Sequence, residues 1–117
     1  MTIIYTDGAL KRICFVIEGQ PPFILDGTYQ TQNIAEYQAV ISALMEAKQQ
    51  GLTDLIVRSD SQLTMRQLNG EYSIKVVYLA SRAREVWELA RKFNSVKFEW
   101  IPREENKAGI QLEKFKT

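Results

Sequence analysis

Residues 52–60 read LTDLIVRSD, and this stretch decides the topology. Its apolar run, Leu55 to Val57, reads as a short strand with both ends polar. Upstream, from Asn33 to Gln50, apolar residues fall at Tyr37, Val40, Ile41 and Leu44. That spacing is one helical stripe, and Gly51 is its stop. Downstream, a short helix is expected from Ser61 to Leu68, closed by Asn69-Gly70. A strand entered from a helical crossover is expected to lie parallel to, and beside, the strand the chain left earlier.

Three strands precede the first helix. TIIYTD is β-branched and ends at Asp7-Gly8, KRICFVIEG alternates around Ile13, Phe15 and Ile17, and PFILDGTY follows a turn from Gly19 to Pro22. Short strands joined by tight turns predict an antiparallel meander. On the other side, IKVVYLASRAREVWELARKF repeats Val76, Leu79, Ala80, Ala83, Val86, Trp87, Ala90 and Phe93, the stripe of a long amphipathic helix. VKFEWI alternates Val96, Phe98 and Trp100 against Lys97 and Glu99 as a last strand, Pro102 ends it, and a final helix is expected near Asn106. The expected order is βββαβααβα: an α/β domain spanning residues 1–117 on a five-stranded mixed sheet. Its first three strands are antiparallel, and its last two lie parallel to the first.

Composition narrows the chemistry. The chain has 117 residues, 45% hydrophobic and 25% charged, enough for one domain with a core, and its net charge of +1 supplies no global field for a polyanion. No apolar run approaches the ~18 residues of a membrane span and MTIIYTDG lacks a signal-peptide profile, so a cytoplasmic protein with no membrane partner is expected. One cysteine, Cys14, excludes a disulfide framework and a cysteine zinc cluster. The absence of histidine removes the serine and cysteine catalytic triads, imidazole ligands and the commonest general base. No glycine-rich phosphate loop is present. Any catalysis must rest on carboxylates, lysines, tyrosines or a bound metal.

Active sites of such sheets gather at the carboxyl ends of the parallel strands. Asp7 closes the first strand, Asp60 the fourth, and Glu36 stands in the first turn of the first helix. Each also has an ordinary structural reading. Asp7-Gly8 is a turn signal, Glu36 three residues after Asn33 is a variant capping box, and Asp60 or Ser61 can cap the short helix. Their joint placement points to chemistry. Carboxylates a few ångström apart repel unless protonated or neutralised by cations. Magnesium prefers such oxygen ligands, and a pair of ions about 3.5–4 Å apart can activate water and stabilise the leaving oxygen of a phosphodiester.

The stretches YTDG (5–8), TQNIAEY (31–37), SDSQLTMRQLNGEY (59–72) and WIPREENKAG (100–109) together resemble type 1 ribonuclease H, in particular its compact bacterial and archaeal-like branch. The resemblance runs in order over nearly the whole chain. It implies the ribonuclease H-like fold and cleavage of the RNA strand of an RNA–DNA hybrid. It further implies two magnesium ions, with manganese as a substitute, and products with a 3′-hydroxyl and a 5′-phosphate. Asp7, Glu36 and Asp60 match three of the family's four metal-binding acids. Thr31, Gln32 and Asn33 match its minor-groove and DNA-phosphate loop, and Gly8 matches a backbone contact to substrate. Reading a hybrid through groove, 2′-hydroxyls and backbone suits an enzyme without sequence preference. No protein partner is implied.

Two departures from the pattern stand out. The glycine-rich turn after TDG is largely missing, which leaves Lys11 and Arg12 as electrostatic replacements or as solvated edge-strand charges. The basic protrusion is absent too, and Lys75, Arg82, Arg84, Arg91 and Lys92 on the long helix are diluted by Glu85 and Glu88. The second departure is at the fourth acid. From the asparagine of PREEN the family continues with two residues, an alanine and then an aspartate, and that aspartate position holds Ile110. Glu113, one turn further on the same helical face, leans back toward the vacated position. It is either the replacement ligand or a solvent-facing charge beside Lys114. The leading reading is therefore a metal-dependent nuclease acting on hybrids through Asp7, Glu36, Asp60 and Glu113. The alternative is a catalytically impaired nucleic-acid-binding domain of the same fold.

Overall fold

The computed structural model describes residues 1–115; residues 116 and 117, the last two of the expected 1–117 domain, lie outside the described residues. Five strands, β1 (Thr2–Ala9), β2 (Arg12–Ile17), β3 (Phe23–Asp26), β4 (Asp54–Ser59) and β5 (Ser95–Trp100), form one sheet in the order β3-β2-β1-β4-β5. β1 pairs antiparallel with β2, and β2 with β3, whereas β4 pairs parallel with β1 and β5 parallel with β4. The helices are α1 (Gln32–Gln49), α2 (Gln62–Leu68), α3 (Val77–Ala90) and α4 (Lys107–Glu113), with a 3-10 turn over Arg103–Glu105 before α4. The meander, the two parallel crossovers and the element order are those the periodicity predicts.

Alternation along β1 sorts the two faces of the sheet. Ile4 belongs to the large core under α1, α2 and α3, with Phe15, Ile17, Tyr37, Leu44, Leu55, Val57 and Val86. Tyr5 belongs to the smaller cluster under α4, with Cys14, Val16, Ile101, Ala108 and Leu112. β1 and β2 are thus covered on both sides, so β2 reads as an unbroken buried run from Ile13 to Ile17 instead of a half-buried alternation. β3 is the sheet's edge, which places Arg12 inside the sheet, paired with Asp26 at 3.0 Å, and overturns its reading as an edge-strand charge.

Two local expectations fail for physical reasons. Asp7-Gly8 is not a turn: both residues stay in β1, opposite Cys14 and Ile13. A Cβ on Gly8 would lie 2.4 Å from the Ala35 carbonyl carbon and 2.7 Å from the Glu36 amide nitrogen. Glycine serves there for the close approach of α1, not for a turn conformation. The long helix is also shorter than its stripe, running from Val77 to Ala90, with Leu79, Ala83 and Val86 buried. Val76 only caps it, and Trp87 is half-exposed while donating from Nε1 to the Leu68 carbonyl.

Candidate active site

The acids meet because of register. β1 and β4 run parallel with Tyr5 opposite Arg58. Two residues further along each strand, side chains return to the same face, so Asp7 and Asp60 emerge side by side on the α4 side. Asp7 is 3% exposed and Asp60 partly exposed just beyond β4. Glu36 arrives from the opposite layer, on the first turns of α1, where Gly8 lets the helix touch the sheet.

Hydrogen bonds discard the ordinary readings. The cap of α1 is Thr31, whose hydroxyl accepts from the Ile34 amide, so Asn33 does not form a capping box with Glu36. Glu36 Oε1 instead accepts from the Gly8 amide at 2.7 Å. α2 is capped by Ser61, whose Oγ accepts from the Thr64 amide, and Asp60 is free of that duty. The carboxylate of Asp60 accepts from Asn106 Nδ2 at 2.6 Å, while its backbone carbonyl accepts from Trp100 Nε1 at 3.2 Å. Asn106, fully buried, also donates to the Thr6 carbonyl and accepts from the Ala108 amide. One amide side chain thereby ties β1, β4 and the start of α4 together at the acids.

The electrostatics are those of a crowded anionic site. Burial, reinforced by the neighbouring Asp7, pushes the Glu36 carboxyl up to about 8 despite the Gly8 amide. Burial likewise raises Asp7 to about 6, against the pull of Arg103 and with the push of Asp60. Arg103 Nη1 lies 3.0 Å from Asp7 Oδ2 and 3.2 Å from Asp60 Oδ2. Burial opposes its charge, but the Asp7 and Asp60 carboxylates hold the guanidinium protonated. Arg103 Nε faces Glu113 Oε1 at 3.5 Å, so Glu113 reaches the site through the arginine and is otherwise well exposed. Ile110 is 45% exposed. Among the described residues no three acid, cysteine or histidine side chains form a ready-made metal cage.

Thr31, Gln32 and Asn33, expected to form a loop, instead start α1, which meets the end of β1 at Gly8. Gln32 Nε2 donates to the Gly8 carbonyl, and Thr31 is engaged in the α1 cap. Of the residues expected to touch substrate, Gly8 and Gln32 are thereby joined to each other and, through the Gly8 amide, to Glu36, while Thr31 and Asn33 stand at the start of α1. Arg103 and Asn106 were not singled out by sequence reasoning. The signal for Asn106 was present, as an asparagine opening the last helix. None existed for Arg103.

Carboxylates at the ends of adjacent parallel strands, joined by a helix glutamate on a mixed five-stranded sheet, define a ribonuclease H-like domain. The chain belongs to the reverse transcriptase-like family, whose model matches residues 15–115. It is similar to ribonuclease HI of Halobacterium salinarum, 35% identical over 82 residues, which are 70% of this chain and 41% of that protein. A bifunctional protein of Mycobacterium tuberculosis is 34% identical over 82 residues, and the match covers 22% of its length, so the chain spans only a fraction of these curated relatives. Among solved structures, ribonuclease H1 of Halobacterium salinarum superposes with a TM-score of 0.88 at 28% identity, over 95% of this chain and 92% of that one. LC11-RNase H1 in complex with an RNA/DNA hybrid gives a TM-score of 0.86 at 28% identity, over 96% and 93%.

Proposed function

We propose that this domain, residues 1–117, is a divalent-metal-dependent endoribonuclease that cleaves the RNA strand of RNA–DNA hybrids. The observation that carries the reading is the convergence of Asp7, Glu36 and Asp60 in a chain of this family. The donor set suits magnesium or manganese: hard carboxylate oxygens, crowded enough that a cation relieves their repulsion. Bound there, two such ions would supply a water of lowered pKa and Lewis acidity at the phosphodiester. Water oxygen bonds to phosphorus as the bond to the 3′-oxygen breaks, and that oxygen takes a proton, leaving a 3′-hydroxyl and a 5′-phosphate.

The chain's own part is positioning. Asp7 and Asp60 would hold the ions, with Asp60 oriented by Asn106. Glu36 is fixed by the Gly8 amide and would have to be ionised to serve as a ligand. Glu113 would be the candidate fourth ligand, free to turn to the ions once its contact with Arg103 is released. Thr31, Gln32, Asn33 and the Gly8 backbone border the acids where a hybrid's backbone would pass. No helix among the described residues is long and apolar enough to cross a membrane, and the reading needs no membrane or protein partner. Its expected location is the cytoplasm.

The test is a labelled RNA–DNA hybrid incubated in magnesium, in manganese and in chelator. Cleavage of the RNA strand alone, abolished by chelator, is expected, with single-stranded RNA and duplex DNA as poor substrates. The second reading, a hybrid-binding domain with impaired catalysis, is favoured by Ile110 at the fourth acid position. Binding of the hybrid without cleavage in either metal, at high protein concentration, would establish it and overturn the first.

A further inference from the structure

Arg103 leaves the 3-10 turn between β5 and α4 and turns inward, leaving its side chain 38% exposed. A single nitrogen, Nη1, lies 3.0 Å from Asp7 Oδ2, 3.3 Å from Asp60 Oδ1 and 3.2 Å from Asp60 Oδ2. One positive group thus neutralises Asp7 and Asp60, the two acids that would also hold a divalent ion. The guanidinium and the ion cannot share the same oxygens at the same point.

Gly109 makes the seat. A Cβ there would lie 2.7 Å from Arg103 Nη1, 3.0 Å from Cζ and 3.4 Å from Asp7 Oδ2. The first distance is too short for any side chain to coexist with the guanidinium where it lies. By the resemblance drawn from the sequence, position 109 corresponds to an alanine and position 110 to an aspartate. Of these two positions, the structure sets 109 beside the guanidinium, whereas Ile110 is exposed on a neighbouring groove. The glycine at 109 leaves out the methyl that would exclude the guanidinium.

We propose that Arg103 is a resident counter-ion that competes with the divalent ion for Asp7 and Asp60, and that metal binding requires the guanidinium to withdraw. Arg103 is a positioning residue in this scheme: it touches the acids and not the substrate. Withdrawal ends its contact with Glu113 as well, so displacement of the arginine and release of the candidate fourth ligand are one event. The inference rests on the metal-binding part of the proposed function and not on the hybrid as substrate.

The experiment is calorimetric titration of the full chain with Mn2+ alone, in wild type, Arg103→Gln and Gly109→Ala. Losing a charge-assisted contact to two carboxylates should tighten Mn2+ binding roughly tenfold in Arg103→Gln. Gly109→Ala, which retains the arginine but blocks its seat, should shift affinity in the same direction and keeps the test decisive if Arg103→Gln fails to fold. Thermal melts in chelator should show Arg103→Gln destabilised and Mn2+ restoring it by more than it restores wild type. Unchanged or weaker Mn2+ affinity in the variants, or no Mn2+ binding by any of them, would overturn the proposal. Tightened binding without hybrid cleavage would sustain it while counting against the nuclease reading.

Discussion

Replacing Glu36 with glutamine removes a carboxylate that folding must desolvate but keeps an oxygen for the Gly8 amide. The wild-type carboxyl moves from 4.5 to about 8 on folding, through burial first and Asp7 second. A raised folded pKa means that the native state binds the proton more tightly than the unfolded chain does. The group's contribution to stability is then fully present below the unfolded value and is lost as pH rises through about 8. At roughly 1.4 kcal/mol per pKa unit, the loss is about 1 kcal/mol at pH 5 and about 3 kcal/mol at pH 7. Glutamine has no such loss. Its stability advantage over wild type, measured by urea denaturation in chelator, should widen by about 2 kcal/mol between those pH values. Asp7 titrates in the same window in both proteins and drops out of the comparison to first order. A gap that stays constant with pH would show that Glu36 is not desolvated by the fold as described, and the reasoning would fail.

Asp60→Asn should abolish cleavage and leave α2 intact, because Ser61 is the cap; Ser61→Ala should do the reverse, losing about 1 kcal/mol of stability while cleaving normally. Circular dichroism melts and the hybrid assay read both. Gly8→Ala should cost about 3 kcal/mol or prevent folding, since its Cβ would meet α1 backbone that cannot rotate away. A melt within 1 °C of wild type would refute that close approach. If Glu113 is the fourth ligand, Glu113→Gln should lower magnesium-dependent cleavage about 10–100-fold. If it is not, that variant should be silent and Ile110→Asp alone should raise cleavage in magnesium.

The fold was legible because two periods alternate cleanly along the chain. A helical stripe on each side of LIV forces the fourth strand into a parallel crossover, and Asp7 and Asp60 then fall at matching strand ends. What local pattern could not give was the identity of each polar partner. Turn propensity misreads Asp7-Gly8 because the β1–β2 ladder and the approach of α1 outweigh it. Capping statistics pick Asn33 over Thr31 because both precede the same apolar run, and only the tertiary bond from Gly8 to Glu36 separates them. Arg103 meets Asp7 across 96 residues of chain and Asp60 across 43, a distance at which no spacing rule operates. An arginine in a loop next to two glutamates reads as surface charge until the sheet brings the acids beneath it.

Packing does not explain the isoleucine at 110. An apolar residue placed for packing would be buried, yet Ile110 is 45% exposed on the rim of a groove with Tyr5, Arg58 and Lys107. It contributes little to the core under α4, which Ala108 and Leu112 supply. Its neighbour Gly109 leaves the space in which the guanidinium of Arg103 sits, and an aspartate at 110 would add a carboxylate one residue further along α4. Gly109 biases the competition toward the guanidinium, and an acid at 110 would bias it toward a metal ion. Changing both residues should therefore act in one direction. Gly109→Ala with Ile110→Asp should bind Mn2+ more tightly than either single variant. The two effects need not add, because adjacent residues that share a partner couple. The double variant should also show the largest stabilisation by metal in thermal melts, since a ligand that binds only the folded state raises its stability in proportion to the logarithm of its affinity. A double variant no tighter than Gly109→Ala alone would mean that position 110 does not reach the ion, leaving Ile110 without a role in the competition.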